Sequence, residues 1–215
     1  MKAIPREAGR ITYSTNIRKL KSLSLSDIEK AVTIGSILGD GNLSSNWSNT
    51  NYRLKISHSI KQSEYILWKY EILKNFVLTK PSVYGKTKSI SFRTISHNKF
   101  TEFYKLFYPF GKKTIPKNIE QLIKNPMTVA IWFMDDGNAV IRKGILRGYH
   151  LNTQSFSPSE NTLLLECLYR LYKIESVMEL NHGKYRLAIW KEDSRQKFRN
   201  LVIPHIIDSM KYKIG

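Results

Sequence analysis

Two stretches of the chain, 34–41 and 130–137, are apolar over about two helical turns and then end in Asp-Gly. The pattern predicts two buried helices. The first helix is expected to begin at Ser26, which fits a capping box with Glu29, and to end at Gly41. Each ending places a carboxylate at a helix C-terminus, where the helix dipole is already negative. Two such ends that lie together would attract a cation.

Between these helices, alternating residues predict two β-hairpins, each followed by a helix. The first hairpin covers 42–58, with alternate residues buried and basic, and a helix follows through 64–76. The second hairpin turns at Gly85-Lys86 and leads to a helix over 98–107. The predicted order is helix, two strands, helix, two strands, helix.

The same pattern then restarts. Asn125-Pro126 suits an N-cap and first helical position, and an offset of 96 residues maps Asp40-Gly41 onto Asp136-Gly137. Several matches in order at a nearly constant offset indicate a diverged duplication. We expect an α+β fold with these segments: a basic arm over 1–24, a first half over 25–110, a linker over 111–125 and a second half over 126–215.

The net charge of the chain indicates the kind of molecule that it binds. The chain has 35 Lys and Arg against 17 Asp and Glu, a net charge of +18, which favours a polyanion. No apolar run approaches the roughly 20 residues of a spanning helix, so a nucleic acid is a better candidate than a membrane. The single cysteine, Cys167, lies in an apolar segment and is expected in the core, in a reducing compartment. With five scattered histidines, a structural zinc site is not expected, and a catalytic metal should be held by oxygen.

Small residues on the opening helices of the two units suggest how the Asp-Gly ends could meet. Gly35 and Gly39 on one helix and Ala130 on the other would permit close backbone approach. Asp40 and Asp136 would then be neighbours. Carboxylates about 5 Å apart repel by roughly 3 kcal/mol at an effective dielectric of 20, which favours recruitment of Mg²⁺, for which Mn²⁺ can substitute. No histidine or glutamate stands beside either aspartate in the sequence, so the pair is expected to act without one.

At 33–41 and 129–137 both endings resemble diverged copies of the nine-residue signature of the LAGLIDADG homing endonucleases. The segments KKTIP (112–116), WFMDDG (132–137) and LNTQSF (151–156) also resemble segments of a monomeric, intron-encoded member of that family. The resemblance covers nearly the whole chain beyond the basic arm. One departure is Leu38, where the name-giving pattern has Asp.

The resemblance implies a monomer with two pseudo-symmetric αββαββα halves, whose antiparallel sheets form a saddle over DNA and whose signature helices pack at the interface. It implies that Asp40 and Asp136 are catalytic and bind metal, with the backbone carbonyls of Gly39 and Asp135 as further ligands. Lys113 and Lys213 match basic residues near the family's active centres, which implies a catalytic, electrostatic role for them: polarising solvent or stabilising the phosphate. The implied activity is magnesium-dependent hydrolysis of both strands across the minor groove of a long, asymmetric target, leaving four-base 3′ overhangs and promoting intron mobility.

The polar faces and turns of the hairpins supply side chains for a DNA groove. The candidates are Arg53, Lys55, Lys86, Lys88, Arg93, Arg142, Lys143, Arg147, Lys184 and Arg186. Strand 145–154 lacks clean alternation, so its faces are not assigned. Most of these contacts should go to phosphates, which take half to two-thirds of protein–DNA hydrogen bonds.

Two alternatives remain open at this point. An RNA maturase would keep the fold and basic surface while assisting splicing of intron RNA. A DNA-binding regulator would bind without cleavage. The sequence does not choose between an organelle, such as a mitochondrion or chloroplast, and a microbial cytoplasm.

Overall fold

Two copies of one helix–strand pattern follow each other along the chain. The structure is a computed structural model that describes residues 15–215. The predicted basic arm lies largely outside the described residues. Its last part forms a short helix, α1 (Thr15–Lys21), whose Ile17 is buried against the core. A helix is therefore present before the capping box that the sequence indicated.

The first copy runs from α2 (Asp27–Leu38) to α4. Its strands are β1 (Asn42–Ser45), β2 (Tyr52–Ser59), β3 (Ser82–Tyr84) and β4 (Ser89–Arg93), and its other helices are α3 (Ser63–Leu73) and α4 (Asn98–Phe107). The predicted capping box at Ser26 and Glu29 is present. Helix α2 ends at Leu38, three residues earlier than expected, because the chain turns at Gly39.

The second copy begins at α6, after a short helix α5 (Ile119–Leu122) within the predicted linker. Asn125 caps α6 and Pro126 is its first residue, as predicted. The elements of this copy are α6 (Pro126–Asp136), β5 (Gly137–Arg142), β6 (Ile145–Leu151), α7 (Pro158–Tyr172), β7 (Val177–Asn181), β8 (Lys184–Ile189) and α8 (Glu192–Val202). The predicted order αββαββα is confirmed in both copies.

Each copy builds one four-stranded antiparallel sheet, with strand orders β1-β2-β4-β3 and β5-β6-β8-β7. The first sheet is regular: Asn42 pairs with Lys55, which in turn pairs with Arg93. In the second sheet the register shifts, since Val140 pairs with Gly148 but Ile141 pairs with Leu146. Arg147 is left without a partner, as in a β-bulge, which explains why this strand lacks clean alternation.

Helices α2 and α6 pack against each other through the centre of the molecule. A Cβ added at Gly35 would lie 2.7 Å from Ile131 Cβ, so the predicted close approach occurs and requires glycine. The core on both sides is built mainly from apolar side chains, and Trp132, Phe133 and Cys167 are fully buried. Within residues 15–215, no helix has the length and apolar character to cross a membrane.

Candidate active site

The two Asp-Gly endings meet where α2 and α6 end. Asp40 follows the C-cap Gly39, and Asp136 is the last residue of α6. A Cβ at Gly39 would lie 2.3 Å from Asp135 Cβ, so the two chain segments are in direct contact. The carboxylate of Asp135 also accepts a hydrogen bond from the Asp40 backbone amide across this contact, at 3.3 Å. The predicted juxtaposition of the helix ends is present.

The two predicted lysines bind the backbone at these endings. Lys113 Nζ donates to the carbonyls of Gly39 and Gly41, at 2.9 and 3.1 Å. Lys213 Nζ donates to the carbonyl of Asp135, at 2.9 Å. A cation at a helix C-terminus opposes the negative end of the helix dipole. One lysine ammonium thus binds the backbone at each Asp-Gly ending, in equivalent positions.

The side chain of Asp135 belongs to a buried network that the sequence did not predict. Lys69 Nζ donates to both of its carboxylate oxygens, at 2.7 and 2.9 Å, and neither side chain is exposed. The Tyr65 hydroxyl donates to Asp135 Oδ1 at 2.7 Å. Lys69 and Tyr65 lie on α3 of the first copy, whereas Asp135 belongs to the second. The network therefore ties the two halves together beside the site.

A histidine links this network to Asp40. His58 Nδ1 lies 3.3 Å from Asp40 Oδ2, and His58 Nε2 lies 3.3 Å from Lys69 Nζ. The His58 side chain is 1% exposed, whereas that of Asp40 is 46% exposed. The expectation that no histidine accompanies the aspartates is wrong, because sequence adjacency does not reveal a residue brought in by β2.

The two aspartates have different electrostatic surroundings. Burial and the neighbouring Asp40 and Asp135 raise the pKa of Asp136 to about 7. Burial also acts on Asp40, but the contact with His58 and the charges of Lys69 and Lys213 outweigh it and hold the pKa of Asp40 below its ordinary value. In residues 15–215, no hydrogen bond reaches the carboxylate of Asp136. The site is therefore pseudo-symmetric in backbone but not in charge.

The donor set fits a hard divalent cation. Asp40 and Asp136 lie at the helix ends beside the carbonyls of Gly39 and Asp135, and Mg²⁺ takes oxygen ligands of these kinds. Each of the two carbonyls accepts from one lysine ammonium and has a second lone pair for a metal. Asp40, His58 and Asp135 also offer ligand atoms within 4.8 Å of one another. Both carboxylate oxygens of Asp135 are already occupied by the Lys69 ammonium, so this second group is not a free ligand set.

The first sheet brings some of the predicted DNA-binding residues together. Lys55 of β2 and Arg93 of β4 are exposed and paired across the strands, and Arg53 pairs with Ser44 on the same face. Arg53 and Arg93 line one shallow cavity with Lys21 of α1. Lys86 and Lys88 lie apart from them, in the exposed β3–β4 turn.

The predicted DNA-binding residues of the second sheet form two groups. Arg142, Lys143 and Arg147 line one surface concavity with Trp190. Arg186 donates to Glu179 on the neighbouring strand, which also lies 3.5 Å from His150. Lys184 begins β8 at the far hairpin turn. Arg186 is thus partly neutralised by a carboxylate, unlike the other candidates.

The sequence contained a usable signal for the missed residues. His58 continues the buried alternation of β2 after Leu54 and Ile56, so its position is one for an apolar side chain. Lys69 lies one helical turn after Tyr65 on the buried side of α3. A polar residue at a buried position requires a partner. That partner, Asp135, lies on the other half and could not be identified without the packing of α2 on α6.

Comparisons with known proteins agree with this architecture. Residues 30–198 match the model of the LAGLIDADG DNA endonuclease family. The chain is similar to the cytochrome b mRNA maturase bI2 of Debaryomyces hansenii, with 30% identity over 84% of this chain and 71% of that protein. It is 28% identical to the DNA endonuclease I-ChuI of Chlamydomonas applanata, over 90% of this chain and 97% of that one.

Among solved structures, the chain resembles the homing endonuclease I-WcaI bound to its DNA recognition sequence. The TM-score is 0.83 and the identity 27%, over 94% of this chain and 93% of that chain. The family match covers most of the sequence, and the two halves, their sheets and the packed signature helices are those that the resemblance implied. The chain belongs to the LAGLIDADG DNA endonuclease family.

Proposed function

We propose that this protein is a monomeric, site-specific homing endonuclease that cuts both strands of DNA in a divalent-metal-dependent reaction. The observation that carries the proposal is the convergence of Asp40 and Asp136, each with a lysine on the adjoining backbone, where α2 and α6 end. A site built from two copies of one unit suits a substrate with two similar strands. I-ChuI is a DNA endonuclease, and I-WcaI has been solved with its DNA recognition sequence, which supports the proposal.

In this proposal Asp40 and Asp136 hold the metal, with the carbonyls of Gly39 and Asp135 as additional oxygen ligands. Mg²⁺ at these groups would supply a water of lowered pKa and neutralise charge at the scissile phosphate. Lys113 and Lys213 are tethered to the backbone at one end of the site, so their ammonium groups are held where a phosphate would add negative charge. Because neither lysine is free to swing far, their contribution is fixed electrostatic stabilisation.

The two sheets would hold the DNA. Lys55 and Arg93 lie side by side on the polar face of the first sheet, and Arg142, Lys143 and Arg147 cluster on the second. With a net charge of +18, the chain should bind DNA largely through its phosphates. We expect the predicted cut across the minor groove to leave four-base 3′ overhangs on a long asymmetric target.

The test is cleavage of a randomised duplex library in Mg²⁺, with Mn²⁺ in a parallel reaction, followed by sequencing of the cut ends. Wild-type protein should yield one enriched sequence family with 3′ overhangs, and Asp40→Asn and Asp136→Asn should each abolish the double-strand break. Asp193→Asn is the matched control, because this side chain is 74% exposed on α8 and, among the described residues, pairs only with Lys197. Tight DNA binding without cleavage would instead identify a non-catalytic regulator.

A second function is favoured by one observation. The 30% identical relative from Debaryomyces hansenii is an mRNA maturase, so this chain is also a candidate for assisting intron splicing. The two functions separate experimentally. A maturase should bind its intron RNA and accelerate splicing in the Asp40→Asn and Asp136→Asn variants as well as in the wild type, since those substitutions remove only the nuclease chemistry. Splicing unaffected by the protein would exclude this second function.

A further inference from the structure

One basic side chain of the second sheet is held by a carboxylate on the face that would meet DNA. Arg186 lies on β8, an inner strand of the order β5-β6-β8-β7, and Glu179 pairs with it from the edge strand β7. The next residue, Leu187, is fully buried in the core, so alternation places Arg186 on the opposite face of the sheet. The side chains of Arg186 and Glu179 are 16% and 30% exposed. The pair therefore lies close against the sheet, unlike the exposed cations of the hairpin turns.

The carboxylate of Glu179 has neighbours on both sides. Its Oε1 accepts from Nε and Nη2 of Arg186, and the same oxygen lies 3.5 Å from His150 Nε2. His150 is buried, and its ring packs edge-on against Trp190 with 5.3 Å between the ring centroids. Ala188 pairs with His150 on the adjacent strand, and its small side chain leaves room for the contact with Glu179. Glu179 is thus confined, and it holds the Arg186 guanidinium in one orientation.

The donors that Arg186 has left form a recognisable pattern. A guanidinium carries five N–H donors in a rigid plane. Glu179 takes the one on Nε and one on Nη2, and within residues 15–215 the other Nη2 donor and both Nη1 donors have no partner. One N–H from each terminal nitrogen then lies side by side on the far edge of the plane, which suits two acceptors at once. Guanine presents two such acceptors, O6 and N7, in the major groove.

The charge of the pair favours a base over a phosphate. Phosphate contacts are driven by cations that release counterions, whereas Arg186 and Glu179 together carry no net charge, and a carboxylate repels an approaching phosphate. None of the other predicted DNA-binding residues forms an ion pair within the described part of the chain. A neutral base edge requires only aligned donors, which this pair supplies.

We propose that Arg186 reads a guanine in the major groove of the target, and that Glu179 is the positioning residue that fixes its donor edge. This inference deepens the proposed function and rests on it, because it requires that the outer face of the second sheet meets DNA. It separates Arg186 from the other cations of this sheet, which are expected to contact phosphates. A single G·C pair in the target should therefore depend on this one side chain.

The first experiment measures base preference separately from cleavage. Duplexes are selected from a randomised library by binding in chelator, and the bound sequences are counted. The double variant Arg186→Ala/Glu179→Ala keeps the net charge, and it should lose a guanine preference of about 5–150-fold at one position while it retains the preferences at all others. The double variant Asp193→Ala/Lys197→Ala is the matched control, because it removes an exposed ion pair of α8 and should retain every preference.

The outcomes distinguish this inference from the proposed function. A guanine preference that survives in the Arg186→Ala/Glu179→Ala variant would overturn the inference, and so would a loss of similar size at every position. Thermal unfolding shows whether each variant is folded. If the selected duplex is bound but not cut in Mg²⁺, the proposed nuclease fails and the same selection still decides the reading of the base. If the duplex is cut and the preference is unchanged in the variant, only the role of Arg186 fails.

The second experiment tests the role of Glu179 with two variants that remove the same charge. Both Glu179→Gln and Glu179→Ala should bind non-specific DNA at least as tightly as the wild type, because a group that repels phosphate is gone. Gln retains an acceptor oxygen for Arg186 and should keep most of the guanine preference, whereas Ala releases the guanidinium and should lose most of it. A purely structural Glu179 would change the thermal stability and leave the preference alike in both variants. Equal preferences in the two variants would refute the positioning role.

Discussion

Replacing Asp136 with Asn should stabilise the metal-free protein while it abolishes cleavage. Burial, Asp40 and Asp135 raise the pKa of this carboxyl from 3.8 to about 7, so its ionised form is disfavoured in the fold. Between those values the folded state retains a proton that the unfolded chain releases. The contribution of the Asp136 carboxyl to the free energy of unfolding is therefore present at about pH 4. It falls as the pH rises through about 7 and is lost above that pH.

The raised pKa of Asp136 gives the size of the expected gain in stability. A pKa rise from 3.8 to about 7 corresponds to an upper limit of about 4 kcal/mol at pH 7.5. Because Asp136 retains contact with water, screening reduces this to about 1–2 kcal/mol. Asn has the same shape and no charge, so Asp136→Asn should recover that amount at pH 7.5 and little at pH 4.5.

The assay is urea unfolding of both proteins, followed by tryptophan fluorescence, at several pH values between 4.5 and 8 in chelator. The difference in unfolding free energy should increase with pH, and Asp193→Asn should change stability by less than about 0.5 kcal/mol throughout. Added Mg²⁺ should raise the stability of the wild type more than that of Asp136→Asn, which lacks one of the two proposed carboxylate ligands. A variant that is no more stable at pH 7.5, or a gain independent of pH, would refute the electrostatic reasoning.

Three further outcomes follow from the geometry and the charge. Between 50 and 200 mM salt, DNA affinity measured by fluorescence anisotropy should fall by about 10³–10⁵, and a nearly constant affinity would argue against a phosphate-dominated interface. Gly39→Ala should cost about 1–3 kcal/mol in urea unfolding, since its Cβ would lie 2.3 Å from Asp135 Cβ, whereas Gly85→Ala, with nothing within 4 Å, should be neutral. Lys69→Met should lower the free energy of unfolding by about 3–5 kcal/mol, because it leaves the Asp135 carboxylate buried without its partner. Adding Asp135→Asn should reduce that loss in the same assay. If the losses of the two single variants simply add, the pair is not coupled.

Local patterns predicted the fold well because each depends on a few neighbouring residues. The capping box at Ser26, the N-cap at Asn125 and the alternation of β2 each produced the expected element. The bulge at Arg147 obscured the alternation of β6, since an extra residue shifts every later side chain to the opposite face. The sequence could indicate that this strand is irregular, but not where the irregularity lies.

The site was predictable only where the repeat carried information. Asp40 and Asp136 share a repeat position, so the duplication identified both, and the resemblance added Lys113 and Lys213. No histidine corresponds to His58 in the second half, where Thr153 and Gln154 stand 95 and 96 residues further on. A residue that is present in one half alone is not revealed by a comparison of the halves, and its contacts with the site are revealed only by three-dimensional packing.

The asymmetry of the site follows from a steric limit at its centre. Gly39 and Asp135 occupy the same repeat position, and a Cβ on Gly39 would overlap that of Asp135. Side chains at both positions would force α2 and α6 apart, whereas glycine at both would leave the Lys69 ammonium buried without a carboxylate. One half therefore supplies the side chain and the other the space for it. That side chain reaches into the first half and binds Lys69 there. The surroundings of Asp40 and Asp136 therefore differ in charge, and we expect the two strand cuts of the proposed nuclease to differ in rate even on a symmetric target.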